Sequence, residues 1–282
     1  YVATAMDLDM YRHASSKTSM STLQSYGNII IPAEVGELAS GLVGAGRMAE
    51  PATIVKFIES HILEGLPLYQ KKILITAGPT YEAIDPVRFI GNHSSGKMGF
   101  EIAKAASNLG AEVRLITGPT HQKISSNLIT VIPVVSAQEM YEQVHQFYEN
   151  CDIAILSAAV ADYKIKFISN QKIKKEEHSL TLELEKTQDI LASLGKLKNN
   201  QLLVGFALET DNEITNAIKK LKNKNLDLIV LNSLSDKGAG FGTNTNKVTL
   251  IKRDLSTTNF PLKSKAEVSK DILNEILKLI DA

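Results

Sequence analysis

The sequence has one cysteine, no surplus of charge of either sign and no apolar run long enough to span a bilayer. The lone Cys151 rules out an internal disulfide and a cysteine-rich metal site. Its place just before the apolar run Ile153 to Leu156 reads as a small buried side chain rather than a nucleophile. Lysine plus arginine equals aspartate plus glutamate at 31 each, so bulk charge offers nothing to nucleic acid or to an anionic membrane. Any anion site must therefore be a local cluster of basic side chains. These traits together lead us to expect a cytoplasmic protein with neither nucleic acid nor membrane as partner. An initiating methionine is also missing: the 282 residues open on Tyr1 inside what reads as a structured segment, as a piece of a longer protein would.

The apolar share of 44% is that of a globular protein, and the chain divides into residues 1–68 and 69–282. The first part has few long periodic apolar runs and is rich in Gly, Ser and Ala, notably Gly36 to Gly41 and Gly44 to Met48. It carries one predicted strand, Asn28 to Ile31, and one predicted helix from Pro51 to about Leu63, with proline at a favoured first-turn position. Glu64 to Gln70 reads as a linker. From Lys71 onward strands alternate with helices. Strands are predicted at 72–77, 112–117, 128–134, 152–157, 202–208, 226–231 and 247–251. Helices are predicted at 100–109, 136–149, 190–197, 213–223 and 266–280, with capping boxes at Ser136/Glu139 and Ser264/Glu267. This alternation implies an α/β fold: a doubly wound, mostly parallel sheet with helices on both faces. Ligands of such sheets bind at the carboxyl ends of the strands, so the loops after Ala77, Ser157 and Leu208 should line one crevice.

Between the first of these strands and its helix lie roughly twenty residues, far more than the usual strand–helix connection. The segment is dense in hydrogen-bonding groups: Asp85, Arg88, Asn92, His93, Ser94, Ser95 and Lys97. It ends in Gly91 to Gly99, small residues opening a helix with one lysine, a pattern suited to a polyanion. Gly91, Gly96 and Lys97 fit G-x-x-x-x-G-K, but Met98 stands where a P-loop places its Mg²⁺-binding hydroxyl. The length of the loop disfavours a simple NAD site, and a solvated excursion is the alternative.

Four further stretches carry chemistry, each with a plain structural reading beside it. Ser157 to Tyr163 follows a buried strand, and its small residues would let a ligand approach; Asp162 would accept hydrogen bonds or hold Mg²⁺ through water, or merely cap a helix. Lys172-Ile173-Lys174-Lys175 is a mobile basic flap over phosphates or a solvated face. In Gly205 to Thr210, Phe206 stacks on a base or belongs to the core. Lys220 and Lys224 share a face of the next helix and either reach the site or complement the helix dipole. Gly238 to Gly242 is a lid or a simple turn.

These motifs, in order and properly spaced, closely resemble the bifunctional phosphopantothenoylcysteine decarboxylase/phosphopantothenate–cysteine ligase family of coenzyme A biosynthesis. They are Ile75 to Thr80, Asp85 to Arg88, Asn92 to Gly99, Ala158 to Tyr163, Lys172 to Lys175 and Asn225 to Asp227. The resemblance implies a Rossmann-like ligase domain over 69–282, preceded by the remnant of a flavodoxin-like, FMN-dependent decarboxylase domain whose remainder would precede Tyr1. It implies CTP and Mg²⁺ as nucleotide and metal, 4′-phosphopantothenate and L-cysteine as substrates, an acyl-cytidylate intermediate, and a homodimer through the ligase domain. Asn92 matches the residue that handles the acyl-cytidylate, and Lys172 the flap lysine of the first step. Arg88, Asn92 and Ala159 would contact the organic substrate. Ser94, Ser95, Gly96, Lys97, Met98 and Gly99 would cradle the triphosphate. Ser157, Ala158, Asp162, Lys172, Asp189, Ile190, Phe206, Lys220 and Lys224 match the other nucleotide positions.

In the decarboxylase part, Asp7 stands in a substrate-binding motif that usually has asparagine, and Ser40 stands where the family has its proton-donating cysteine. A hydroxyl is a much weaker acid than a thiol, so decarboxylation by this chain alone is not expected. Two rival readings remain: a pyridine-nucleotide oxidoreductase on the same fold, which lacks its short G-x-G-x-x-G turn here, and a non-catalytic regulatory subunit, against which Asn92, Lys172 and Asp162 stand intact.

Overall fold

Residues Ile73 to Ala77 are buried without alternation, as a strand covered on both faces must be. The computed structural model describes residues 1–174, 180–209, 211–233 and 242–280, which fall into two compact units, Tyr1–Leu66 and Pro67–Ala282.

The first unit contains β1 (Val2–Ala3), α1 (Leu8–Arg12), α2 (Ala14–Ser25), β2 (Ile30–Ile31), β3 (Glu34–Glu37), β4 (Val43–Arg47) and α3 (Pro51–Glu64). β1 pairs with β2 in parallel and β3 with β4 as a hairpin. No residue of its three helices is buried. Helix α2 was not legible in the sequence, because its Ser/Thr-rich run carries no apolar stripe.

The second unit runs β5 (Lys72–Ala77), β6 (Tyr81–Ala83), β7 (Phe89–Gly91), α4 (Lys97–Asn108), β8 (Glu112–Thr117), β9 (Ile129–Pro133), α5 (Ala137–Tyr148), β10 (Ile153–Leu156), β11 (Tyr163–Ile165), β12 (Leu184–Lys186), α6 (Ile190–Leu197), β13 (Leu202–Glu209), α7 (Glu213–Asn223), β14 (Leu228–Ser233), β15 (Thr245–Lys252), β16 (Thr257–Ser264) and α8 (Lys265–Ile280). Its eight-stranded sheet has the order β16-β15-β14-β13-β10-β5-β8-β9. The six strands from β14 to β9 are parallel, and β15 and β16 add an antiparallel edge. Leu68, read from the sequence as part of a linker, is fully buried in this unit, where its N–H donates to the Leu109 carbonyl at 2.8 Å.

Side-chain parity divides the core. Ile73, Ile75, Ile153, Ile155, Leu228 and Val230 face α4 and α8, whereas Leu74, Ala154, Leu156, Ile229 and Leu231 face α5, α6 and α7. Each of the larger side chains contributes about 1.5–3 kcal/mol on burial, which is why the sheet rather than the loops sets the frame. From β5 the chain winds outward through β8 and β9, then returns to place β10 on the opposite side of β5. That reversal opens a crevice beyond the carboxyl ends of β5 and β10.

At the other end of the sheet Asp227 gathers several partners. Lys198 Nζ lies 2.6 Å from both of its carboxylate oxygens, and the Leu203 N–H donates to Oδ2 at 2.8 Å. The Lys198 side chain is only 7% exposed. Asp227→Ala strands this cation and is expected to destabilise the unit by roughly 3 kcal/mol, the lower end of the cost of breaking a buried pair. A fall in the urea midpoint at constant m-value would carry that result; an unchanged midpoint would refute it. Among the described residues no helix is long and apolar enough to cross a membrane.

Candidate active site

The crevice at the reversal point holds about 720 Å³. Its first wall is the amino end of α4. Gly96 sits there at φ +76°, the left-handed region, and a β-carbon on it would meet the Gly78 backbone at 3.2 Å. The turn places the first amides of α4 at the crevice without a side-chain cap. Ser94 Oγ accepts from the Gly96 N–H at 3.3 Å, and Thr120 Oγ1 donates to the Ser95 carbonyl at 2.7 Å, so the small-residue loop is held from both sides. Gly99 lets the helix lie against the strand: a β-carbon there would come within 2.6 Å of Ala77 Cβ and 2.7 Å of Ser157 Oγ.

The segment between β5 and α4 is not an open excursion. β6 and β7 form a hairpin within it, and Glu82, buried, accepts from the Ala137 N–H at 2.8 Å at the start of α5. Asp85, 3% exposed, accepts from the N–H groups of Val87 and Arg88 at 2.9 Å and from the Ile173 N–H at 3.1 Å. Its carboxyl is held far below the usual range, chiefly by the Arg88 guanidinium. Arg88 also donates to the Ile173 carbonyl at 3.1 Å. Arg88 and Asp85 thus clamp the segment that carries Lys172. Neither Arg88 nor Lys172 lines the crevice; both are exposed.

The second wall follows β10. Ser157 Oγ donates to the Thr76 carbonyl at 2.6 Å, and Thr80 Oγ1 accepts from the Ala161 N–H at 2.9 Å. Asn92 spans the two walls: its Nδ2 donates to the carbonyls of Ala159 at 2.9 Å and Val160 at 3.2 Å. Asp162 is exposed in the crevice and leads into strand β11, so it caps no helix. The third wall joins β13, α6 and α7. Asp189 caps α6 through the Ala192 N–H at 2.9 Å and pairs with Lys224 at 2.7 Å. Burial opposes its charge, but the Lys224 contact prevails and its carboxyl titrates below the ordinary value. Lys220 Nζ donates to the Phe206 carbonyl at 2.7 Å, and burial, aided by Lys224, lowers its affinity for a proton. Phe206 is at once packed on the core and part of the lining.

The crevice therefore brings together Asn92, Ser94 to Gly99, Ser157, Ala158, Ala159, Asp162, Asp189, Ile190, Phe206, Lys220 and Lys224. It includes Tyr163 from the stretch after β10, and adds Lys186, Thr187, Asn246 and Lys265, which the sequence did not single out. Five lysines face two aspartates, a net of three positive charges in a chain with none overall. Asp7 and Ser40 lie in the first unit. The Asp7 carboxylate caps α1 by accepting from the Leu8 N–H at 2.6 Å, and Ser40 is exposed in the turn between β3 and β4. Cys151 is buried and its thiol pushed up to about 12, chiefly by burial, as a structural cysteine's would be. Lys175, Thr210 and residues 234–241 lie outside the described residues, so of the Gly238–Gly242 run only Gly242 is described.

Residues 68–280 match the family described as DNA/pantothenate metabolism flavoprotein C-terminal domain. This makes the second unit an α/β enzyme domain of pantothenate metabolism. Among curated relatives, the coenzyme A biosynthesis bifunctional protein CoaBC of Bacillus subtilis is 48% identical over 99% of this chain and 69% of its own. A protein named cysteine/cysteine sulfinic acid decarboxylase, from an unknown prokaryotic organism, is 52% identical over 99% of this chain and 79% of its own. The crystal structure of the C-terminal domain of a CoaBC protein superposes with a TM-score of 0.66 at 44% identity, covering 77% of this chain and 99% of that one. The chain belongs to the CoaBC family of bifunctional coenzyme A biosynthesis enzymes.

Proposed function

We propose that the second unit joins 4′-phosphopantothenate to L-cysteine, with CTP as the activating nucleotide. The observation that carries this reading is the crevice itself, a net-positive cleft closed on one side by an uncapped helix amino end. A carboxylate oxygen of 4′-phosphopantothenate attacks the α-phosphorus of CTP, and pyrophosphate leaves. The cysteine amine then attacks the acyl carbon of the resulting acyl-cytidylate, and CMP leaves with the carboxylate oxygen. Neither step needs a bond to the protein, so the work falls to positioning and charge.

In this reading Ser94 to Gly99 and the first amides of α4 hold the triphosphate, and Lys220 and Lys224 add charge. Ser157, Ala158, Asp189, Ile190 and Phe206 line the nucleotide's path. Asn92 and Ala159 face the acyl group. Lys172 supports the first step from the segment that Arg88 and Asp85 anchor, and Arg88 contributes to holding the organic substrate. Mg²⁺ fits as a companion of the nucleotide. The described residues contain no cluster of three His, Cys, Asp or Glu side chains, so its oxygens would come from phosphates and water, with Asp162 as the nearby carboxylate. Bound there, it would neutralise phosphate charge.

A homodimer through this unit belongs to the same proposal, and the exposed Val87, Phe89, Phe167 and Ile168 suit such an interface. In this reading FMN belongs to the decarboxylase part of the family; none of the residues in the first unit's three helices is buried, and no step through flavin is derived. Incubation of the chain with CTP, Mg²⁺, 4′-phosphopantothenate and L-cysteine should yield phosphopantothenoylcysteine by mass spectrometry. Absence of that product would overturn the ligase reading, in favour of an oxidoreductase if a parallel incubation with a nicotinamide cofactor turns over and of a regulatory subunit if it does not.

A further inference from the structure

The first residue of α8, Lys265, lines the crevice although it lies more than 160 positions from the phosphate loop in sequence. It is 5% exposed. Asn244 brings it beside Lys97: the Asn244 carbonyl accepts from the Lys265 N–H at 3.0 Å, while Asn244 Oδ1 accepts from Lys97 Nζ at 2.7 Å. The Ser264–Glu267 capping box fixes the start of the helix, with the Ser264 N–H donating to Glu267 Oε2 at 3.0 Å and the Glu267 N–H to Ser264 Oγ at 3.2 Å. Packing of α4 against α8 completes the arrangement.

Two costs converge on this ammonium: it is desolvated, and it faces a second lysine. Each lowers its affinity for a proton, and each is relieved by an anion bound between the two lysines at the amino end of α4. A chain optimised for stability alone would place an acidic or neutral residue at that helix position.

We propose that Lys265, with Lys97, forms the subsite for the two distal phosphates of the nucleotide and holds the pyrophosphate as it leaves. This rests on the nucleotide-activating reading above and extends it to a residue outside the glycine-rich loop. In the first step the carboxylate oxygen bonds to the α-phosphorus and the bond from that phosphorus to the bridging oxygen breaks. The electron pair stays on the departing pyrophosphate, where the Lys265 ammonium stabilises the charge that accumulates.

Calorimetry with CTP, CMP and inorganic pyrophosphate separates the possibilities. In Lys265→Met and Lys265→Gln, the dissociation constants for CTP and pyrophosphate should rise at least about tenfold, the worth of one charged hydrogen bond, while that for CMP stays within about twofold. Equal weakening of CTP and CMP, or weakening of neither, would overturn the subsite. Should both variants misfold, the unaltered chain answers by reductive methylation: pyrophosphate should protect Lys265 and CMP should not, and equal labelling with and without pyrophosphate would again overturn it. The two readings fail differently. Pyrophosphate binding through Lys265 without any response to CTP would sink the nucleotide reading alone. Full CTP-dependent turnover in Lys265→Met would sink this inference alone.

Discussion

Asn92→Ala is expected to release pyrophosphate from CTP at a rate within about threefold of the unaltered chain, while formation of the ligated product falls by about a hundredfold or more, the usual cost of one well-placed polar group. Both hydrogens of the Asn92 amide are committed to the carbonyls of Ala159 and Val160. Its oxygen is the remaining group, held at the crevice by those two bonds, and suits an N–H of the attacking cysteine amine. Pyrophosphate departs before that amine reacts, so the first step keeps its phosphate-binding groups. Quenched-flow measurement of pyrophosphate and product on the same samples checks the split. Equal loss of both would reduce Asn92 to a tie between two loops.

Lys172→Ala should show the opposite pattern: a loss of about a hundredfold or more in pyrophosphate release, with CMP binding unchanged. The side chain is exposed and outside the crevice lining, but its neighbour Ile173 is bound through both backbone groups to Asp85 and Arg88. That anchor fixes the base of the segment and leaves the lysine free to bring charge to a bound triphosphate. Lys172→Arg should recover part of the rate, since the charge is kept. Normal pyrophosphate release from the alanine variant would refute the role.

What the sequence revealed follows from where the signals were strong. β5, β8, α6 and α7 lie where the sequence predicts them, because strands covered on both faces are continuous apolar runs and Gly78-Pro79, Gly118-Pro119 and Asp189 punctuate them. β16 escaped because it is an edge strand with a proline and a half-exposed pattern. The hairpins β6–β7 and β11–β12 escaped because three-residue strands have no measurable period. The glycine-rich loop and the residues after β10 could be placed in a crevice from sequence, since a parallel sheet gathers its strand ends. Lys265 and Asn246 could not, because they enter from the antiparallel edge and the last helix through packing of α4 on α8, which no local pattern records. One trace was present: a lysine directly after a capping serine, where helices favour acidic residues.

The most direct measurement of the central claim follows an oxygen atom. 4′-Phosphopantothenate labelled with ¹⁸O in its carboxylate is incubated with the chain, CTP, Mg²⁺ and L-cysteine, and the phosphorus products are read by mass spectrometry. Activation as an acyl-cytidylate transfers one labelled oxygen to CMP, with unlabelled pyrophosphate beside it. Label in inorganic phosphate with CDP as the nucleotide product, or no label in any phosphorus product, would contradict it.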